Sequence, residues 1–178
     1  NTHIIEISND TSFQNVNDTS FQGGKPSIPF NEPIPKCSFC NNIQTFYFQV
    51  AFPSGHIWSG LSVALFACTS CFNWDYTIPE MLNPPMKDVE IPEGFLNTYQ
   101  RNFRILVFPT ISGNICHDYT EHIIFQRWNI IPTKEDVVID TSHIGGEPFW
   151  ILEDESPGNY AKDIPMVFLF QIEEGIIY

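Results

Sequence analysis

The chain has 178 residues, of which 43% are hydrophobic, and sets eight Lys plus Arg against 21 Asp plus Glu for a net charge of −13. Roughly 70% of the unfolded surface of a chain this long is buried in one core, and a hydrophobic content this high excludes a disordered protein. The charge repels phosphate backbones and excludes nucleic acid as a direct ligand, while no apolar run reaches the roughly 20 residues that span a bilayer.

The chain opens at Asn1 without Met and closes at Tyr178 inside an apolar run, so it reads as a fragment. No basic segment followed by an apolar one begins it, which points to the cytoplasm. The hexamer Asn-Asp-Thr-Ser-Phe-Gln occurs at 9–14 and again at 17–22. Gly23-Gly24-x-Pro26 predicts a tight turn with positive φ. After Cys37-x-x-Cys40, the aromatic run Thr45–Phe52 predicts a strand, Pro53-Ser54-Gly55 a reversal, and Leu61–Ala67 a second strand ending at Cys68-x-x-Cys71. Pro79, Pro84, Pro85 and Pro92 deny backbone donors to any ladder, so Thr77–Pro92 predicts a connection. Helical spacing is confined to Gly94–Asn102, where Phe95, Leu96 and Tyr99 share a face. Arg104–Phe108, His122–Phe125 and Met166–Ile172 predict further strands, and Glu153–Asp163 an acidic loop.

A longer repeat overlies these elements. Val16, Asp18, Thr19, Ser20, Gly23, Gly24, Pro26, Phe46, Phe48 and Gln49 recur 122 residues later as Val138, Asp140, Thr141, Ser142, Gly145, Gly146, Pro148, Phe168, Phe170 and Gln171. The register holds without a gap, so an internal duplication of one structural unit is the simplest cause. The expected fold is therefore mainly β (β-rich α+β): a single duplicated domain over 1–178 with two similar antiparallel-sheet lobes. Lobe 1 covers about 1–76, the connection about 77–103 and lobe 2 about 104–178.

Chemistry differs between the copies, because only the first holds cysteine pairs. Each C-x-x-C turn can offer two sulfurs to one metal, and Cys37, Cys40, Cys68 and Cys71 together complete the tetrahedral shell of a closed structural zinc site. The 27-residue spacer exceeds that of a zinc ribbon. Lengthening a loop by half costs only about 0.4 kcal/mol, against about 10 kcal/mol from zinc binding. Two disulfides or a redox pair are the alternatives. The first needs an oxidising compartment and the second needs one pair beside a helix start. A closed four-thiolate shell leaves no position for water, so such a zinc stabilises and does not catalyse.

An enzyme reading rests on Cys116, His117, Glu121 and His122, a thiol or hydrolase cluster in which His117 would activate Cys116. Neighbours on an extended chain point to opposite faces, so the expected case is a buried thiol beside surface polar groups. His56 with Trp58, and His143 with Trp150, read as core packing over Gly-rich turns more readily than as a cleft. The Gly-Gly pairs are not phosphate cradles, since no Lys-Ser/Thr follows them.

Taken together, Gly23-Gly24-x-Pro26, Pro35-x-Cys37-x-x-Cys40, Phe48-Gln49 and Leu65-Phe66-Ala67-Cys68-x-x-Cys71 resemble the opening of the programmed cell death protein 2 family. The duplicated unit is similar to the YwqG-like proteins, which have two similar β lobes. The resemblance covers the first 71 residues well and Asp140–Ile172 moderately, and leaves 72–137 unmatched. It implies an escort or chaperone for a basic small-subunit ribosomal protein. The acidity of the chain is compatible with a basic protein client, or with a protein that masks a cationic toxin. A non-enzymatic protein-binding module with a basic partner is thus the leading expectation.

Overall fold

Short aromatic and β-branched runs, bounded by Gly, Pro and Asn, extend into strands. The computed structural model describes residues 1–71, 87–95, 100–133 and 140–173. In chain order the strands are β1 (His3–Ile7), β2 (Phe21–Gln22), β3 (Ser27–Pro29), β4 (Thr45–Ala51), β5 (Leu61–Ala67), β6 (Glu90–Ile91), β7 (Phe103–Pro109), β8 (Gly113–Ile115), β9 (Gln126–Pro132), β10 (His143–Ile144), β11 (Asn159–Tyr160), β12 (Ile164–Pro165) and β13 (Phe170–Gln171). Eight form one antiparallel sheet in the order β13-β10-β1-β9-β2-β4-β5-β7. A three-stranded sheet (β12-β11-β6) and a pair (β3-β8) complete the described sheets, and a 3-10 turn, Thr110–Ser112, follows β7. The chain is mainly β, as its composition predicts.

The large sheet is covered on both faces. Ile5, Phe48, Val50, Phe52, Val63, Trp128 and Ile144 are buried together in one cluster, and Phe21, Ile28, Phe46, Ala64, Phe66, Phe108 and Tyr119 in another. Alternation along β5 sends Val63 to the first and Ala64 and Phe66 to the second. In β4, Phe46 and Phe48 are two residues apart yet join different clusters, because the ladder shifts register between them. The Phe46 N–H at this irregularity donates to the Tyr119 hydroxyl at 2.7 Å.

The repeated residues make repeated hydrogen bonds. Phe21 pairs with Gln49 and Gln22 with Phe48, while 122 residues on His143 pairs with Gln171 and Ile144 with Phe170. The Gly23 N–H donates to the Tyr47 carbonyl (2.9 Å), and the Gly145 N–H to that of Leu169 (2.8 Å). Ser20 Oγ accepts the Ala51 N–H, and Ser142 Oγ that of Glu173. Gln49 Oε1 accepts the Ser27 N–H, and Gln171 Oε1 that of Phe149. Ser20 and Ser142 also offer their carbonyls to Trp128 and Ile5 of the two central strands. The motif is therefore a set of side chains that satisfies the backbone around a Gly-Gly turn, not a ligand cradle.

Close approach explains the glycines. At Gly23 (φ +58°) a Cβ would lie 2.3 Å from the Ile124 carbonyl oxygen, and at Gly145 (φ +69°) 2.8 Å from that of Asn1. His122–Phe125 is consequently not a strand. The Ile123 carbonyl accepts the Gly24 N–H (2.8 Å), Ile124 abuts Gly23, and strand pairing starts only at Gln126. Met166–Ile172 pairs with the sheet only at Phe170–Gln171. Of the expected connection Thr77–Pro92, the described part carries β6, and of the expected helix over Gly94–Asn102 the described residues 100–102 are not helical; the rest of both lies largely outside the described residues, as Val138 does wholly.

Candidate metal centre

The β4–β5 hairpin reverses through the loop 52–60, of which the expected Pro53–Gly55 turn is only the first part, and brings the sequences before β4 and after β5 to its open end. Before β4, a bridge between Lys36 and Ile43 closes a knuckle around the first cysteine pair. Inside it the Cys37 N–H donates to the Asn42 carbonyl and the Asn41 N–H to that of Cys37, each at 2.9 Å, with Asn41 in the left-handed region (φ 59°). After β5, the Cys71 N–H points at Cys68 Sγ (3.4 Å). The two residues that lead into β7 clamp these turns: the Ser38 N–H donates to the Arg101 carbonyl (2.8 Å) and the Cys68 N–H to that of Asn102 (2.7 Å). Thr45 and Thr69 hydroxyls, 2.7 Å apart, tie one knuckle to the other.

The four sulfurs consequently lie within 4.8 Å of one another. Cys37–Cys71, Cys40–Cys68 and Cys68–Cys71 are each 3.5 Å apart. A tetrahedron with metal–sulfur bonds of about 2.3 Å has edges of about 3.8 Å, whereas a disulfide needs about 2.05 Å. The cysteines are free thiols whose spacing fits one ion, and four soft donors suit zinc-like metals. Cys37 is buried and the others are half-buried, so the group is walled by protein.

Burial pushes the Cys68 thiol up, but the N–H groups of Cys71 and Ser70 and the neighbouring thiols outweigh it and bring it down to about 7. Its partner Cys71 moves the other way, raised by the contact with Cys68 and then by burial. Ready deprotonation of one member favours capture of a cation.

The second candidate cluster does not assemble. Among the described residues, the four cysteines are the only group of three or more Cys, His, Asp or Glu side chains close enough to share an ion. His117, Glu121 and His122 are exposed, whereas Cys116 packs against the second core cluster. Burial pushes the Cys116 thiol up, and nearby Asp118 adds to it. Such a thiol is a poor nucleophile.

His56 stacks on Phe52 at 4.7 Å, and Trp58 meets Phe52 edge-on. His143 is fully buried, with Nδ1 2.6 Å from the Thr141 carbonyl and Nε2 3.0 Å from that of Glu147, so it braces the second Gly-Gly turn. Trp150 is half-buried. His56, Trp58 and His143 are packing, as the sequence predicts. The Thr45–Thr69 tie and the clamps at Arg101 and Asn102 escaped sequence reasoning, because only tertiary placement brings those residues to the cysteines.

Comparison of the chain with protein-family models, with curated proteins and with solved structures finds no match. No helix among the described residues is long and apolar enough to cross a membrane.

Proposed function

We propose that this chain is a non-enzymatic protein-binding module, stapled by one structural zinc on Cys37, Cys40, Cys68 and Cys71, that docks a basic protein partner on its small sheet. The observation that carries the reading is the surface around β6, β11 and β12. Residues 87–95 and 147–163 hold eight acids (Asp88, Glu90, Glu93, Glu147, Glu153, Asp154, Glu155 and Asp163) against Lys87 and Lys162. Within that surface Ile151 and Leu152 are 89% and 91% exposed, and Ile164, Met166 and Val167 are also exposed. Large exposed apolar side chains in segments with a strong excess of acids are the composition of a docking surface, not of plain solvent-facing protein.

Zinc fits the donor set, and when bound it would hold the hairpin end closed without an open coordination position. Persistent thiolates need a reducing compartment, which supports a cytoplasmic location. The shared hydrogen bonds of the two Gly-Gly units support the internal duplication. The resemblance to the programmed cell death protein 2 family and the YwqG-like proteins supports an escort or chaperone role for a basic client, such as a ribosomal protein. The exposed scatter of His117, Glu121 and His122 gives the enzyme alternative no support.

The test is affinity capture from the native cell with the intact chain and with a Glu153→Gln, Asp154→Asn, Glu155→Gln variant. A basic partner should be recovered by the first and depleted with the second. Recovery of the same partner in equal amount by both would remove the small sheet from the binding surface.

A further inference from the structure

The β7 edge of the eight-stranded sheet is uncovered by any strand among the described residues. Its hydrogen-bonding phase is fixed at both ends. The Cys68 N–H donates to the Asn102 carbonyl, and the Thr110 N–H to that of Gly60. Even-numbered residues from 102 to 110 therefore face β5, and Ile105 and Val107 turn their N–H and C=O groups off the sheet. The outward N–H of Ile105 is met by Gln100 Oε1 at 2.8 Å, a side-chain amide in the place a neighbouring strand's carbonyl would take.

Beside this edge runs a groove of about 550 Å³, lined by Glu32–Lys36 and Arg104–Val107. Ile34 and Leu106 pack against the second core cluster and give the groove an apolar wall. Ile105 and Val107, 41% and 49% exposed, turn their side chains to the opposite face of the strand, which leaves Arg104 and Leu106 on the groove side. The charge here opposes that of the molecule. The groove lining holds Lys36 and Arg104 against the single acid Glu32, in a chain of net −13.

We propose that the β7 edge and its groove take an extended acidic segment of a partner protein, added to the sheet as a further strand. Its backbone pairs with Ile105 and Val107, displacing Gln100. Alternate side chains fill the groove against Ile34 and Leu106, and carboxylates lie opposite Lys36 and Arg104. Main-chain pairing supplies the affinity of such strand addition, while the side-chain wall and charge supply its selectivity. This occupant is opposite in charge to the one proposed for the small sheet, so either reading can fail without the other.

The test is amide chemical-shift mapping on the full chain titrated with a short synthetic peptide of alternating Glu and Val. Shifts should centre on Gln100, Ile105 and Val107 and on the groove wall at Ile34 and Lys36, and the Lys–Val counterpart should not bind. Lys36→Glu with Arg104→Glu should weaken binding about tenfold at low salt. Val107→Pro removes an outward N–H without touching the β5 ladder, and should weaken binding about fivefold. Shifts elsewhere or none, equal binding of the Lys–Val peptide, or unchanged affinity in both variants would overturn the proposal. Self-association of the chain that Val107→Pro abolishes would give the edge to a second copy and overturn it too.

Discussion

Arg127 is the side chain on which most of the amino-terminal segment converges. Its Nη2 donates to Asp18 Oδ2 at 2.8 Å and to the Phe13 carbonyl at 3.1 Å, its Nε donates to the other Asp18 oxygen, and Nη1 lies 3.0 Å from Asp10. Asp10 and Asp18 hold the same place in the tandem hexamers, yet Phe13 is 97% exposed and its counterpart Phe21 is fully buried. Both aspartates serve one cation, whereas only one phenylalanine reaches the core. Burial pushes the Asp18 carboxyl up, but the Arg127 hydrogen bonds and the Asn15 N–H outweigh it and hold the group below the ordinary carboxylate range. A depressed native value adds stability above the unfolded value of about 3.9 and loses it as pH falls through the native one. Asp18→Asn should cost about 2 kcal/mol at neutral pH, and urea midpoints measured down the acid range should fall less steeply than in the parent. Gly23→Ala should cost at least about 2 kcal/mol, because a backbone carbonyl blocks the site as well as the positive φ. Gly60→Ala, at φ +84° with open space around it, should cost about 1 kcal/mol, and parallel denaturation curves check the difference. The positive φ of the Gly-Gly turn was legible from the Pro two residues on. The carbonyl that crowds Gly23 was not, because it arrives from 101 residues away in the chain.

The β4–β5 hairpin was the most legible element, since two aromatic and β-branched runs flank a Pro-Ser-Gly reversal and end at matched cysteine pairs. β1 and β9 were harder to read. β9 mixes Gln126, Arg127 and Asn129 into its run, and β1 is a short amino-terminal segment whose partners, β9 and β10, lie more than a hundred residues later. The run His122–Phe125 has strand composition but spends its carbonyls on the Gly-Gly turn, so local propensity yielded to a tertiary contact. In the hairpin itself, the cysteine knuckles hang on the ends of β4 and β5. Cys37→Ser should release the metal, and a strong chelator should do the same to the unaltered chain. Amide exchange should then accelerate first at Thr45 and Ala67, which are paired beside the cysteines, and least at the His143–Gln171 pair. Uniform acceleration throughout the sheet would show that the metal governs the whole fold and not this end of it.

Across the whole molecule, charge is sorted by element: acids are dense in the segments around the small sheet, while the groove beside β7 carries Lys36 and Arg104 against Glu32. The total of −13 was plain in the sequence, but its separation appears only when β6 is seen to pair with β11 across 69 residues of chain. Association with a basic partner should slow as salt rises, over a Debye length of about 10 Å at 0.1 M, with a smaller change in dissociation. Stopped-flow rates at several salt concentrations check this, and a salt effect confined to dissociation would contradict long-range steering. The seam of β1 on β9 joins the chain's two halves in one sheet. The four-cysteine group lies in the first half alone, so the repeated Gly-Gly hydrogen-bond pattern does not require it. The staple proposed for the hairpin end depends on what those four sulfurs hold. X-ray absorption at the zinc edge of the purified chain tests this most directly. The account predicts one zinc per chain with four sulfur neighbours at about 2.3 Å, whereas a metal-free protein with two disulfides, or a shell containing nitrogen or oxygen, would contradict it.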